Sequence, residues 1–429
     1  MNALKILVGL NLVVLIVMTA AYLYQLVYTV IGLINGRRAK SRKADETPVP
    51  LKRYAALICA RDEENVIGEL VGSLLRQDYP HQLYDVYVLA DNCSDETAAA
   101  ARTAGARVYV RHNTSEVGKG YALDYLLGCI GRDYGSDHYD GFFIFDADNI
   151  VDKGFIAAMN RTYAKGYDVI TCYRNSKNFG ANWISASYSI WFLREARFLN
   201  FPRMLTGNSC AVSGTGFFVS NEIIKANHGW PFHLLTEDIQ FSADCIVNGR
   251  LIGYCDDAVI YDEQPTSFVQ SWKQRLRWAK GFFQVDRRYM LPLLKGMFTN
   301  KRTRMSCYDF FMTIAPATFL TLFAVLYNVV MLLDLAFTPT LLHYLVVAEA
   351  IRYLEYAAIN YYLGMVSYAL LTVMMEWKRI EASNRHKLMY IGLFPIFMLT
   401  YVPITFMALN HKVGWSHINH YAASTFTKQ

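Results

Sequence analysis

GFFIFDAD, residues 141–148, decides how this chain folds. Four apolar residues run unbroken into two aspartates that flank one alanine. So short and continuous an apolar run suits a strand buried on both faces, as in a parallel sheet. Asp146 and Asp148 then fall at the strand's carboxyl end, where open α/β sheets bind their ligands. Two carboxylates around one small residue make a site for a hard divalent cation, because Mg²⁺ takes oxygen ligands and is shared with a diphosphate.

Working outward, YAALICA (54–60), YDVYVLAD (84–91) and RVYVRH (107–112) read as further strands. Helical patterns alternate with them over 65–77, 94–106 and 118–130, and Asn65 and Ser94 are candidate N-caps. Strand–helix alternation on this scale predicts a doubly wound α/β domain with a parallel sheet, over residues 54–265. The first strand is followed by Arg61-Asp62-Glu63-Glu64 and not by a Gly-x-Gly-x-x-Gly turn, so nothing supports a dinucleotide cofactor.

The 429 residues are 53% apolar and 18% charged, which excludes a disordered or fibrous chain. A mean hydropathy of +0.15 points to membrane segments. Residues 3–34 are almost wholly apolar, longer than the roughly 20 needed to span. Only Lys5 precedes this run, whereas Arg37, Arg38, Lys40, Arg42, Lys43, Lys52 and Arg53 follow it. The positive-inside rule therefore predicts an anchor over 1–36 with its N-terminus outside, then a basic cytosolic linker over 37–53. Residues 266–305 read as amphipathic interface helices and 306–410 as a membrane region, with spans over 308–334, 341–376 and 388–409 and a tail over 411–429. The net charge of +6 is too mild to suggest nucleic acid. The eight cysteines lack metal-ligand spacing and read as buried reduced thiols.

Three more motifs lie along the domain. Asp91, in LADNCSDET, ends the second strand; Thr236-Glu237-Asp238 opens a helix; Gln274-Arg275-Leu276-Arg277-Trp278 lies in the amphipathic segment. Each alone has a plain reading, whether a helix-dipole carboxylate or an interfacial tryptophan. In this order, between membrane spans, they are specific. The chain resembles the processive, membrane-embedded synthases of glycosyltransferase family 2, among them cellulose, chitin and hyaluronan synthases. Ser213-Gly214-Thr215-Gly216-Phe217 falls where that family has an acceptor-site loop.

The resemblance implies a GT-A-like fold at the plasma membrane with a cytoplasmic catalytic domain. It implies that Glu64, Asp91, Lys119 and Asp146 hold a UDP-sugar, joined by Gln274 and Arg277. Asp146 and Asp148 would bind Mg²⁺ or Mn²⁺, and Asp238 would be the general base of an inverting transfer. Glu237, Gly214, Thr215, Gly216 and Trp278 would face the acceptor. Trp191, Trp230 and Trp272 are further candidate sugar platforms, and Tyr353, Tyr356, Tyr361, Tyr362 and Tyr368 could line a path through the spans. The product expected on this basis is a β-glucan made from UDP-glucose and secreted as a nascent polysaccharide. The alternatives are a hexosamine-containing polymer or the transfer of one sugar to a membrane lipid.

Overall fold

The computed structural model describes residues 2–39, 48–314, 326–330, 333, 337 and 343–414. Lys40, Arg42 and Lys43, much of the span expected over 308–334, and the tail from residue 415 lie outside them.

Strand β1 (Tyr54–Ala60) sits at the heart of an eight-stranded sheet. On one side it pairs in parallel with β2 (Tyr84–Asp91), which carries β3 (Arg107–Arg111). On the other it pairs in parallel with β4 (Gly141–Phe145). Alternate side chains of β1 feed two cores. Ala55 and Leu57 join Leu123 and Leu126 of the helix that precedes β4, while Ala56 and Ile58 join the opposite cluster with Ile67 and Phe155. Burial on both faces is why the strand reads as one apolar run.

Beyond β4 the sheet is mixed, which corrects the expectation of an all-parallel sheet. Strand β5 (Ile150–Val151) and strand β6 (Val169–Ser176) precede β7 (Phe217–Ser220), which inserts antiparallel between β4 and β6. The chain reaches β7 from the Ser213–Gly216 turn beside the end of β4, so it can only run backwards along that strand. Strand β8 (Ile252–Asp262) then pairs in parallel with β6, apart from a bulge in which Asp256, Asp257 and Ala258 have no partner on β6.

Helices cover both faces. After the N-terminal α1 (Asn2–Ala39) come α2 (Ile67–Leu75), α3 (Thr97–Thr103), α4 (Lys119–Tyr134) and α5 (Phe155–Tyr163). Asn65 and Ser94 do not cap α2 and α3, whose cap positions are Val66 and Glu96. The start of α3 is held instead by Asp95, which accepts from the Thr97 amide at 3.0 Å, and by Glu64, which accepts from the Glu96 amide at 2.9 Å. Next, α6 (Trp183–Glu195) runs into a π-helical segment, Ala196–Asn200, and α7 (Phe201–Leu205). Two further helices, α8 (Asn221–Ala226) and α9 (Glu237–Val247), complete the domain.

The long α10 (Phe268–Thr299) passes beneath the domain and continues through Pro292, beyond the 267–290 expected. It is followed by α11 (Arg304–Ile314), α12 (His343–Glu376), α13 (Asn384–Met389), α14 (Phe394–Leu399) and α15 (Tyr401–Asn410). Among the described residues three helical stretches, Val8–Gly36, Glu355–Glu376 and Asn384–Asn410, are long and apolar enough to cross a membrane. All eight cysteines are free.

Candidate active site

One cavity of about 950 Å³ gathers the ends of β1, β2 and β4, the Ser213–Gly216 turn, the start of α9 and the middle of α10. Lys119 and Asp146 form its centre. The Lys119 ammonium donates to Asp146 and, at 2.7 Å, to the Gly214 carbonyl. Gly118 precedes it at φ +143°, a conformation that glycine tolerates, and α4 begins at Lys119 itself. Burial works against the charged lysine, but Asp146 and Glu237 outweigh it and hold its pKa above the ordinary value.

The Ser213–Gly216 turn brings the acids together. Asp146 Oδ2 and Asp238 Oδ2 each stand 3.8 Å from the point a Gly214 Cβ would occupy, so two carboxylates face each other across this glycine. Thr215 locks the turn behind them: its hydroxyl accepts from the Asp146 amide at 2.8 Å and donates to Asn149. Gly216 has no alternative residue, because at φ +66° a Cβ would stand 2.5 Å from Cys172 Sγ.

Glu237 and Asp238 occupy the first turn of α9, where the helix dipole favours negative charge. Burial nevertheless raises both. Glu237 is pushed up to about 7 by burial and by Asp238, with Lys119 opposing. Asp238 is raised by burial against its hydrogen bond from the Ile239 amide and the charge of Lys119. Glu237 is thus poised to exchange a proton near neutrality, beside a second carboxylate also raised above its ordinary range.

Helix α10 supplies the fourth wall through a close approach. A Cβ on Gly281 would stand 2.5 Å from Thr236 Cγ2, so the helix rests directly on the start of α9. Gln274, Arg277 and Trp278 lie seven, four and three residues before Gly281 and share its face. All three line the cavity. Arg277 is lowered by burial, opposed by Glu237, Asp146 and Asp238. Trp278 is held edge-on against Tyr188, with ring centroids 5.7 Å apart. Arg275 turns the other way, fully buried over the Phe397 ring at 4.1 Å and donating to the Phe397 carbonyl at 3.1 Å.

Asp91, Lys119, Asp146, Asp148, Gly214, Glu237, Asp238, Gln274, Arg277 and Trp278 thus meet at one cavity. Asp91 lies there in a 2.8 Å ion pair with Arg111. Glu64 does not line it: the structure places Glu63 in the wall and turns Glu64 outward to the α3 loop. Thr215 and Gly216 also stand behind the lining, as supports of the turn. Trp191, Tyr361 and Tyr368 line the cavity, whereas Trp272, Tyr356 and Tyr362 do not. Trp230, 1% exposed, packs among Phe217, Phe232 and Phe241 in the core.

Sequence reasoning missed Arg174, which bonds Asp262 at 2.6 Å and the Ser213 carbonyl at 3.0 Å, bracing the acidic turn from β6 and β8. Its only advance signal was an arginine in an apolar strand. Asp146 and Asp148 offer the hard oxygen donors that Mg²⁺ or Mn²⁺ takes. Asp146 already faces a cation in Lys119, and one oxygen of Asp148 accepts from the Glu263 amide at 3.2 Å. Two carboxylates leave the rest of a six-oxygen shell to phosphate and water, so these residues fit a nucleotide-bound divalent ion.

The architecture and the acids together define a GT-A-like α/β glycosyltransferase. Residues 51–281 match the profile of the family described as glycosyltransferase like family 2, and the chain belongs to that family. It is 25% identical over 246 residues to a β-monoglucosyldiacylglycerol synthase of Synechocystis, a match covering 56% of this chain and 50% of that protein. A probable glycosyltransferase of Bacillus subtilis, YdaM, is 24% identical, with 61% and 62% covered. The poly-β-1,6-N-acetyl-D-glucosamine synthase of Staphylococcus epidermidis is 22% identical, with 56% and 57% covered. These matches therefore span only half to about three-fifths of the relatives' length. Among solved structures, the mannosyltransferase PcManGT of Pyrobaculum calidifontis, in complex with GDP-Man and Mn²⁺, shares the fold at TM-score 0.54 and 16% identity, over 87% of this chain and all of that one.

Proposed function

We propose that this chain is an inverting, metal-dependent glycosyltransferase that moves a single hexose from a UDP-sugar to a membrane lipid. One observation carries the reading. The cavity that holds the acids continues, without a dividing wall, among Leu199, Phe310, Tyr361, Met365 and Phe394 of the π segment and helices α11, α12 and α14. A lipid could keep its chains in that apolar part while its headgroup reaches Asp238. The glucosyldiacylglycerol synthases among the relatives support a lipid acceptor over the β-glucan first expected.

In this reading Asp91 and Lys119 hold the donor's nucleoside and diphosphate, and Arg277 steadies the phosphates from α10. Asp146 and Asp148 hold the divalent ion, which when bound supplies positive charge to the departing UDP. Asp238 takes the proton of the acceptor hydroxyl as that oxygen attacks the anomeric carbon, worth roughly 10²–10⁴ in rate. Trp278 offers a flat face beside the acceptor. The apolar helices would anchor the protein, with the basic residues after α1 keeping the domain cytoplasmic.

The test is the product. Protein purified in detergent with Mn²⁺ is given radiolabelled UDP-glucose, UDP-galactose or UDP-N-acetylglucosamine and, as acceptor, monooleoylglycerol or dioleoylglycerol. A small, organic-extractable glycolipid is expected. A high-mass, glycosidase-sensitive product would overturn this reading in favour of a polymerase, the reading that the Gln274–Trp278 motif suggested.

A further inference from the structure

The last turn of α6 places two charged residues in the cavity wall that the proposed chemistry leaves unused, Arg194 and Glu195. They stand where α6 passes into the π-helical segment Ala196–Asn200. Such widened turns are frequent at functional sites, because they re-aim side chains without ending the helix. Among the described residues the Glu195 carboxylate has one polar contact, from Ser213 Oγ at a long 3.4 Å. Burial raises its pKa, opposed by Arg203, Arg174 and Arg194.

The neighbouring cations are committed elsewhere. Arg174 serves Asp262 and the Ser213 carbonyl, and Arg203 makes a two-pronged pair with Asp309 at 2.7 Å. Arg194 lies between the rings of Trp191 and Tyr368, 5.2 and 4.9 Å from their centroids, with a 3.4 Å contact to Gln25. Glu195 is therefore a cavity carboxylate with acceptor capacity to spare. Its one polar contact, Ser213, is the residue before Gly214, across which Asp238 meets Asp146.

We propose that Glu195 binds a hydroxyl of the acceptor's headgroup, and that the acceptor is accordingly a neutral polyol lipid and not a lipid phosphate. The inference rests on the lipid-acceptor reading and deepens it. A hydroxyl next to the one that reacts donates to Glu195 in a charge-assisted bond, which turns the reacting oxygen toward Asp238. A phosphate would instead bring its charge against Glu195, Glu237 and Asp238. A site built around such a bond rejects an acceptor that cannot make it.

The experiment measures KM for monooleoylglycerol, which carries two adjacent hydroxyls, and for the UDP-sugar, and UDP affinity, in wild type, Glu195→Gln, Glu195→Asp and Glu195→Ala. Glu195→Gln and Glu195→Ala should raise acceptor KM about 10- to 100-fold, with donor KM and UDP affinity within about twofold. Glu195→Asp should recover part of the loss. Wild type should prefer monooleoylglycerol to dioleoylglycerol, whose single hydroxyl leaves Glu195 without a donor, and to undecaprenyl phosphate. Unchanged acceptor KM in Glu195→Gln, equal loss of donor and acceptor binding, or preferred use of undecaprenyl phosphate would each overturn the assignment. A wild type that glycosylates none of these lipids would instead defeat the lipid reading itself.

Discussion

Arg197 donates from Nε to Glu376 at 2.5 Å with both side chains fully buried, joining the π segment to the end of helix α12, whose last 22 residues are apolar enough to cross a membrane. The pair has company. Tyr173 donates to the other Glu376 oxygen at 2.7 Å, and Asp256 takes Arg197 at 3.5 Å and Arg379 at 3.1 Å. Asp256 is available because the β8 bulge removes it from the sheet ladder, so an irregular strand supplies a docking group. Close packing completes the joint, since a Cβ on Gly32 of α1 would stand 2.8 Å from the Arg197 carbonyl.

Removing one partner of such a pair strands a buried charge. Glu376→Ala should lower stability by about 3–5 kcal/mol, read as a fall in the unfolding midpoint of protein in detergent. Replacing both partners, Arg197→Met with Glu376→Met, should cost less than Glu376→Ala alone. A double variant worse than either single one would show that the ions act separately.

Asp238→Asn keeps the shape of the carboxylate but cannot accept the acceptor's proton. Transfer should fall about 10²–10⁴-fold, while UDP affinity, measured by calorimetry with Mn²⁺ present, stays near wild type. A matching loss of UDP affinity would move Asp238 from the acceptor side to the donor side.

The acidic pair also sets a pH profile. Asp238 must be ionised to act, and its neighbour Glu237, pushed up to about 7, takes up a proton as pH falls through neutrality. The acidic limb of kcat/KM should therefore lie above the ordinary carboxylate range. Glu237 has already taken up its proton where Asp238 titrates, so Glu237→Gln should leave the Asp238 limb in place. A limb that moves with this substitution would show that Glu237, and not Asp238, is the group that titrates.

Residues buried on both faces wrote β1 and β2 into the sequence to the residue, because only the part-exposed Asp85 interrupts their apolar runs before Asp91. Strand β7 escaped notice: Phe217–Ser220 is only four residues long, and its reversed direction depends on where the preceding turn delivers it. Asp146, Asp148 and Asp238 were legible because strand ends and helix starts are recognisable from local pattern. Glu63 and Glu64 are chemically alike neighbours, and only the path of the loop decides which one enters the cavity. Trp230 looked like a platform because sequence cannot distinguish a core indole from a cavity indole. The pairing of Arg197 with Glu376 spans 179 positions and left no local trace.

The two arginines of Gln274–Trp278 separate structure from chemistry within one turn of helix. Arg277 shares the face of Gly281 and looks into the cavity, whereas Arg275 packs over Phe397 and donates to its carbonyl. An ammonium cannot reproduce the stacked, planar contact of a buried guanidinium. Arg275→Lys should therefore lower the unfolding midpoint, and whatever activity survives should keep a normal donor KM. Arg277→Lys retains a charge near the phosphates but loses the fork that holds two oxygens at once. It should unfold at the wild-type temperature while kcat/KM for the UDP-sugar falls about tenfold or more. Because both substitutions are chemically identical and two positions apart, each controls for the other. If the pair exchanged phenotypes, α10 would have to be rotated about its axis, and Gly281 could no longer be the residue that seats it on Thr236.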